Sequence, residues 1–448
     1  MMRALAAWIF ASVILAMGLP GAMLTASADE GGSPAADAPA NADPAPQANL
    51  NPYQKYYLDQ QKMTQLVRSI DAPLLPAGAD KEYERIAREF RDLMRAGAST
   101  SQADRALIRQ GFALRLFKMT DRAFIEDQNA VRNLLVNEIS RDLAGAGRDE
   151  QNQTRRQKFR EAVCQELHGL LLQMMENNLD ARTFAITLFS DLEIVQQTGG
   201  IGRITLLDDV YKSLTQLLED QRQPDTVRSC VAVEMREILL KVEVTPLNQM
   251  LMAKALAAEL RRPYTVPDYR MVLIDTVCEI TTPREVVAGG AKKPLAMEIL
   301  VEVMSDQQNQ LTFVRCHAAA GLGRVGYDNA VNFDPLAWKV TQLALQAAVE
   351  FNTAPSDKWG QAAIDFLVAF HHLDSDGLKG ANKQGMLNRA ETSAIVKGAY
   401  PHVLEILKGM AVGRPVPPAV INDTGKWLHE NTPADGRWDS SVDPLKLN

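Results

Sequence analysis

The stretch Leu311–Gly326, LTFVRCHAAAGLGRVG, decides the fold because its pattern returns along the chain. It predicts one helix with Arg315 near its start. Counted from this arginine, apolar residues stand at +3, +4, +7 and +10. That spacing is the apolar stripe of a helix that packs against a core.

The same register recurs at a nearly constant interval. Its starts are Arg182, Arg228, Arg270 and Arg315, followed by Trp359 in the place of the arginine. They are 46, 42, 45 and 44 residues apart. A period of this length indicates stacked helix pairs, since each pair buries its apolar face against its neighbours. At 448 residues, the chain also exceeds the size at which one compact core keeps growing.

Composition favours an all-α fold and disfavours nucleic acid as a partner. Aromatic residues make up 6% of the chain, against 46% for all hydrophobic residues. This mixture suits helix-on-helix packing better than strands, which favour β-branched and aromatic residues. The formal net charge is −7 without a long basic run, whereas phosphate binding needs a concentrated basic face. We therefore predict an all-α protein with no nucleic-acid partner.

The N-terminus has the organisation of a signal peptide over residues 1–28. Arg3 provides the positive charge, Ala4–Leu19 the apolar segment and Ala26-Ser27-Ala28 a small-x-small cleavage site. The apolar run is about 16 residues long, which is short for a membrane span of roughly 20. We therefore expect an exported protein, periplasmic or extracellular, with no membrane span after cleavage. A retained N-terminal anchor is the alternative.

The rest of the chain divides where its composition changes. Residues 29–51 are an Ala/Pro-rich linker that we expect to be disordered, because it has too little apolar surface to offset chain entropy. Residues 52–144 predict helical hairpins, which are either divergent repeats or an N-terminal cap. The repeats span 154–373, and a loop follows at 374–388. Residues 389–448 predict a further helix and a tail containing Pro and Trp that caps the last repeat.

Five helix pairs are expected between residues 154 and 373. The pairs are 154–176 with 178–197, 201–221 with 224–242, 245–262 with 266–280, 293–306 with 310–325, and 334–351 with 356–373. Three of the first helices open with Pro246, Pro294 or Pro335 in their first turn. Backbone N–H groups in the first turn of a helix have no partner inside the helix, so proline, which lacks this group, costs no hydrogen bond there.

This arrangement resembles the HEAT/armadillo family, whose helix pairs have a period of about 40 to 47 residues. The segments Asp225-Thr226-Val227-Arg228 and Phe313-Val314-Arg315 are similar to the start of a HEAT second helix. The resemblance covers residues 154–373, and Trp359 and the missing acid before Arg315 depart from it. It implies an α-solenoid of stacked antiparallel helix pairs that holds other proteins. It also implies that the four repeat arginines are structural and pair across neighbouring repeats.

The weak candidates for a metal or catalytic site are His371, His372, Asp374 and Asp376. Successive residues on a helix point about 100° apart, so the two imidazoles do not converge on one ion. The Asp-x-Asp-Gly start is similar to half of a calcium loop, but the third oxygen ligand and the distal Glu are missing. A polar turn that ends the helix is the preferred interpretation, and a metal site is the alternative.

Three other features have an ordinary interpretation beside a functional one. Cys316 and His317 place a nucleophile beside a base, but neighbours diverge on a helix and no acid is placed to orient the histidine. We therefore interpret His317 as a surface or packed polar residue. Gly199–Arg203 precedes a helix whose N–H groups can hold an anion, although a flexible turn is preferred. The four cysteines are interpreted as small buried side chains, and the sequence leaves open whether they pair.

No motif assigns a reaction to the chain, since GxxxxGK[ST], HExxH and GxSxG are absent from the sequence. We therefore predict no catalytic residue, no cofactor and no bound metal. The expected function is an exported, non-catalytic scaffold that binds an unidentified protein. Two alternatives stay open. One is an envelope structural or carbohydrate-binding protein, and the other is a hydrolytic enzyme with a loop-built site near His371 and His372.

Overall fold

Helices build most of the chain that the structure describes. The computed structural model describes residues 51–448 except 77, 98–99, 122–127, 196–203, 264, 283, 287–291, 309, 357, 372–384, 389–391 and 448. The predicted signal peptide and all of the predicted linker except Asn51 lie outside these residues. The described residues contain sixteen α-helices and two short β-hairpins, which confirms the predicted all-α class.

The helices are numbered here in chain order. Four precede the region that the sequence predicts to be repetitive, which we call the repeat region: α1 (Pro52–Arg68), α2 (Ala79–Ala96), α3 (Gln102–Leu116) and α4 (Gln128–Gly145). The repeat region contains α5 (Gln153–Met174), α6 (Leu179–Ile186), α7 (Asp208–Glu219), α8 (Asp225–Lys241), α9 (Pro246–Leu260), α10 (Pro267–Val277), α11 (Leu295–Ser305), α12 (Thr312–Leu322), α13 (Asp334–Thr353) and α14 (Lys358–Phe370). The last two are α15 (Ala394–Ala411) and α16 (Pro418–Glu430). The antiparallel hairpins pair β1 (Glu193–Val195) with β2 (Thr205–Leu206) and β3 (Glu285–Val286) with β4 (Lys292–Lys293).

Local sequence signals set several of the helix starts. The side chains of Ser101, Asn178 and Thr245 accept a hydrogen bond from the backbone N–H three residues later. These N-caps satisfy donors that have no partner inside the helix. Pro246 and Pro335 lie in the first turn of α9 and α13 as predicted. Pro294 instead precedes α11, because the chain before it forms strand β4.

Many helices of the repeat region pack against the next helix in the chain, and several also pack against the helix two positions later. We call α6, α8, α10, α12 and α14 the second-helix row, because each of them contacts the following one. Among the first helices, α7 contacts α9 and α9 contacts α11. Within the pairs, α7 contacts α8, α9 contacts α10 and α11 contacts α12. An internal helix such as α12 is therefore enclosed by α10, α11, α13 and α14.

The apolar stripe of α12 lies in this core. Its stripe residues at +3, +4 and +7 from the repeat arginine are 0% exposed, as is Val325 at +10 in the turn that follows the helix. Two glycines allow close packing around them. A Cβ at Gly321 would lie 2.9 Å from a side-chain carbon of Leu300 in α11. A Cβ at Gly323 would lie 2.2 Å from the carbonyl oxygen of Val368 in α14, so any larger residue there would push α14 away.

The predicted helices 178–197 and 201–221 are wrong in extent. Helix α6 ends at Ile186, a 3-10 turn follows, and strand β1 pairs with β2 before α7 begins at Asp208. The carbonyl oxygen of Glu193 accepts hydrogen bonds from Arg160 Nη2 at 2.7 Å and from Cys164 Sγ at 3.7 Å. Both donors lie on α5. Because these bonds and the ladder to β2 satisfy the backbone, the segment does not need helical hydrogen bonds.

The C-terminal tail folds back onto the repeat region. Trp438 is 2% exposed, and its carbonyl oxygen accepts a hydrogen bond from Asn332 N at 2.8 Å. Arg284 forms ion pairs with Asp328 and with Asp439 of the tail. The side chain of Asp439 is 0% exposed, so this pair ties the tail to the loop before β3.

Candidate functional site

The four repeat arginines are buried at the starts of the second helices. Three of them donate to a side chain of the next helix pair. These bonds are Arg182 Nη1 to Gln223 Oε1 at 2.6 Å, Arg228 Nη1 to Glu259 Oε2 at 2.6 Å, and Arg315 Nη1 to Gln346 Oε1 at 2.9 Å. Arg270 instead donates to the carbonyl oxygen of Leu260 in its own pair, at 3.2 Å. These arginines therefore hold turns and neighbouring pairs together inside the protein.

A different set of charged side chains surrounds His317 on the second-helix row. Its Nε2 lies 3.2 Å from Asp275 Oδ1, and its Nδ1 lies 3.2 Å from Asp365 Oδ1. The three residues belong to α10, α12 and α14, so three consecutive second helices contribute one residue each. Gln361 Nε2 also donates to Asp365 Oδ1, at 3.2 Å. His317 is 7% exposed and thus buried between the two carboxylates.

Two arginines and a glutamate extend this arrangement. Arg324 Nη1 donates to Asp275 Oδ1 at 2.6 Å, and Arg324 Nη2 donates to Glu279 Oε1 at 3.5 Å. Arg236 of α8 lies 3.8 Å from Asp275 Oδ2 and 3.8 Å from Glu279 Oε1. We call the six residues Arg236, Asp275, Glu279, His317, Arg324 and Asp365 the His317 cluster. With His317 protonated, its three positive groups match its three carboxylates.

The two aspartates keep His317 charged. Burial by itself lowers the pKa of His317, but its hydrogen bonds to Asp275 and Asp365 and their negative charges outweigh burial and raise the pKa to about 9. Burial likewise raises the pKa of Asp275. The hydrogen bond from His317 and the positive charges of His317, Arg324 and Arg236 outweigh it and hold that pKa well below its usual range. His317 is therefore an imidazolium at neutral pH.

This geometry suits charge presentation better than proton transfer. Both nitrogens of an imidazolium are donors, so His317 has no lone pair with which to take a proton from Cys316. Cys316 is 0% exposed, and burial raises the pKa of its thiol. In contrast, the side chains of Arg236, Asp275 and Arg324 are 32%, 25% and 18% exposed. The cluster therefore presents charges of both signs at the protein surface, and their mutual ion pairs hold them in position.

The acids around His317 were not predicted from the sequence. No acid was expected to orient this histidine, because Asp275 and Asp365 lie in other helix pairs. Counted from the repeat start of each pair, Asp275 is at +5, His317 at +2 and Asp365 at +6. Positions three or four apart share one side of a helix, so these three residues lie on equivalent sides of consecutive second helices. Alignment of the repeats by their starts would have brought the three residues together.

The weak candidates near residue 371 are only partly described. The His371 ring meets the Tyr400 ring edge-on, with 4.5 Å between the ring centres. His372, Asp374 and Asp376 lie outside the described residues, as does the turn Gly199–Arg203. Among the described residues, no three His, Cys, Asp or Glu side chains converge as a metal site would require.

All four cysteines are buried, as the sequence interpretation expects. Burial raises the pKa of Cys164 and of Cys230 to about 12, so both remain protonated at neutral pH.

Comparison of the chain with protein families, with curated protein sequences and with solved structures finds no match. Within the described residues, no helix combines the length and the apolar character that crossing a membrane requires.

Proposed function

We propose that residues 154–373 form a HEAT-like α-solenoid and that the chain is an exported scaffold that binds another protein along the second-helix row. The observation that carries this proposal is the unbroken contact of α6, α8, α10, α12 and α14, which sets five second helices side by side. Arrays built in this way bury a core between neighbouring pairs and present a long surface, which such proteins use for binding. Export rests on the signal-peptide pattern of residues 1–28.

The His317 cluster supports a role in recognition. Arg236, Asp275 and Arg324 are partly exposed and are held by ion pairs. Side chains already fixed in the free protein lose little conformational entropy when a partner binds. Charges of both signs at fixed positions favour a partner with the complementary arrangement and penalise others.

Photo-crosslinking from the row tests this proposal. Leu240 stands four residues after Arg236 of the cluster, and Ile364 stands three residues after Gln361, which donates to Asp365 of the cluster. Both positions are therefore within about one helical turn of a residue in or bonded to the cluster. They are 45% and 49% exposed. A photoreactive amino acid at either position should give one shared adduct in the native host. The matched controls are two exposed residues of first helices, Leu247 at 74% and Val349 at 49%. Adducts confined to the control positions would refute the assignment of the surface.

Binding by the purified partner then tests the charges. Arg236→Glu should weaken binding about fivefold, which corresponds to ~1 kcal/mol for a partly exposed charge. The effect should shrink as salt is added. Arg88→Glu is the control, because Arg88 is 93% exposed on α2 and lies outside the row. Equal affinities of the two variants would contradict a role for the His317 cluster.

A further inference from the structure

One edge of the repeat region accepts tyrosine hydroxyls. This edge consists of the turns that join first helices to second helices. Tyr53 OH donates to the carbonyl oxygen of Thr265 in the α9–α10 turn at 2.7 Å. Tyr56 OH donates to the Asp225 carboxylate at the start of α8, 2.9 Å from each oxygen. Both tyrosines belong to α1, which lies across these turns.

The next position along this edge is a cavity of about 190 Å³ between the α9–α10 and α11–α12 turns. Its apolar wall consists of Leu260, Ile299 and Val303, each at most 4% exposed. Arg261 and Glu302 form its polar wall through a two-point ion pair, with N–O distances of 2.7 and 2.8 Å. The cavity therefore combines an apolar side for a ring with a polar rim.

Gln310 also lines the cavity and supplies a hydrogen-bonding group that the described residues leave unused. Its Oε1 is buried and has no hydrogen-bond partner among them. A hydroxyl both donates and accepts, so it can pair with either atom of this amide. A cavity of about 150 Å³ can hold benzene, so this one is large enough for a phenol ring. Tyrosine combines such a ring with a hydroxyl, and it is common at interfaces for that reason.

We propose that this cavity receives a tyrosine side chain of the partner protein, with the ring against Ile299 and Val303 and the hydroxyl on Gln310. The proposal rests on the proposed scaffold function and names one contact of its partner. It continues by one turn the interface that the chain already makes with Tyr53 and Tyr56 of α1.

The test uses p-cresol and toluene, which share the ring and methyl group of tyrosine and differ in the hydroxyl. Titrations of the full mature chain are followed by NMR. We expect p-cresol to bind about tenfold more tightly than toluene, because only p-cresol can donate a hydrogen bond to the buried Oε1 of Gln310. Gln310→Met should abolish this preference. Val303→Phe should weaken p-cresol binding about tenfold by filling the cavity, whereas Val349→Phe on the exposed face of α13 should not.

Three outcomes would overturn the proposal. The first is equal binding of p-cresol and toluene by the unaltered chain. The second is p-cresol binding that neither Gln310→Met nor Val303→Phe changes. Gln310→Met keeps the test valid if Val303→Phe fails to fold, since it leaves the apolar wall intact. The third concerns Tyr264, which stands in the same turn and lies outside the described residues. If p-cresol binds only the Tyr264→Ala variant, the protein's own tyrosine occupies the cavity.

Cross-linking and binding measurements with the partner distinguish a failure of this inference from a failure of the proposed function. Suppose that a partner cross-links to the second-helix row but binds the Val303→Phe and Gln310→Met variants with unchanged affinity. The scaffold proposal would then stand, and the tyrosine pocket would be excluded. If p-cresol binds as expected but the second-helix row gives no cross-links, the pocket is supported and the row is excluded as the docking surface.

Discussion

Replacing His317 with glutamine should remove a pH dependence of stability that the His317 cluster builds into the second-helix row. In the folded protein, Asp275 and Asp365 raise the pKa of His317 to about 9, against 6.5 for an unperturbed histidine. The folded state therefore binds one more proton than the unfolded state between these two pH values. Glutamine keeps much of the side chain's hydrogen-bonding capacity but does not titrate.

The magnitude follows from the difference in pKa. About 2.5 pH units at about 1.4 kcal/mol per unit correspond to about 3 kcal/mol of stabilisation. Because the folded pKa is raised, this stabilisation is fully present below pH 6.5 and is lost as the pH rises through 9. Between pH 7.5 and 9, the free energy of unfolding should fall by about 2 kcal/mol more in the unaltered chain than in His317→Gln.

Urea unfolding followed by far-UV circular dichroism at several pH values measures this difference. His429→Gln is the control, because His429 is exposed on α16 and lies outside the His317 cluster. Hydrogen exchange in α10, α12 and α14 provides a local measurement, since stacked repeats need not unfold as one unit. An identical slope for His317→Gln and the unaltered chain would refute the reasoning that the aspartates hold the histidine charged.

Three further substitutions test contacts outside the His317 cluster. Tyr56→Phe removes the hydroxyl that donates to the buried Asp225 carboxylate and should cost about 2 kcal/mol, measured as faster hydrogen exchange in α1. Burial raises the pKa of Glu234 to about 7, so the folded state retains a proton that the unfolded state loses above about 4.5. Stability should therefore fall by about 3 kcal/mol as the pH rises through this window, and thermal melts of Glu234→Gln should lack that loss. Arg284→Met leaves the buried Asp439 without its arginine and should cost about 3 kcal/mol, measured as faster proteolysis of the C-terminal tail.

For each of these substitutions, one result would contradict the expected outcome. Tyr57→Phe, at a side chain that is 47% exposed on the same helix, should leave exchange in α1 unchanged. Equal exchange in Tyr56→Phe and Tyr57→Phe would show that the bond to Asp225 does not hold α1 in place. For Glu234→Gln, a pH dependence equal to that of the unaltered chain would contradict a raised pKa. For Arg284→Met, unchanged proteolysis would show that other contacts hold the tail.

The periodic part of the sequence predicted the helices of the repeat region well. The segments expected at 224–242, 245–262 and 334–351 correspond to α8 (Asp225–Lys241), α9 (Pro246–Leu260) and α13 (Asp334–Thr353). In these segments the apolar spacing agrees with the residues at the helix starts, which are Pro224 before α8, the Thr245 cap with Pro246 in α9, and Pro335 in α13. Prediction failed at residues 187–195 and 204–206, where Glu193 bonds to side chains of α5 and strands β1 and β2 take the place of a helix.

The sequence by itself determined the all-α class and the burial of the apolar residues that follow each repeat start, because these depend on spacings of three to ten residues. Only the tertiary structure decided which polar groups meet. His317 lies 42 and 48 residues from the two aspartates that charge it, and Tyr56 lies 169 residues from Asp225. Ionisation in the His317 cluster depends on burial and on neighbouring charges that arrive from other helix pairs. No local spacing encodes that environment, so it exists only once the pairs have packed.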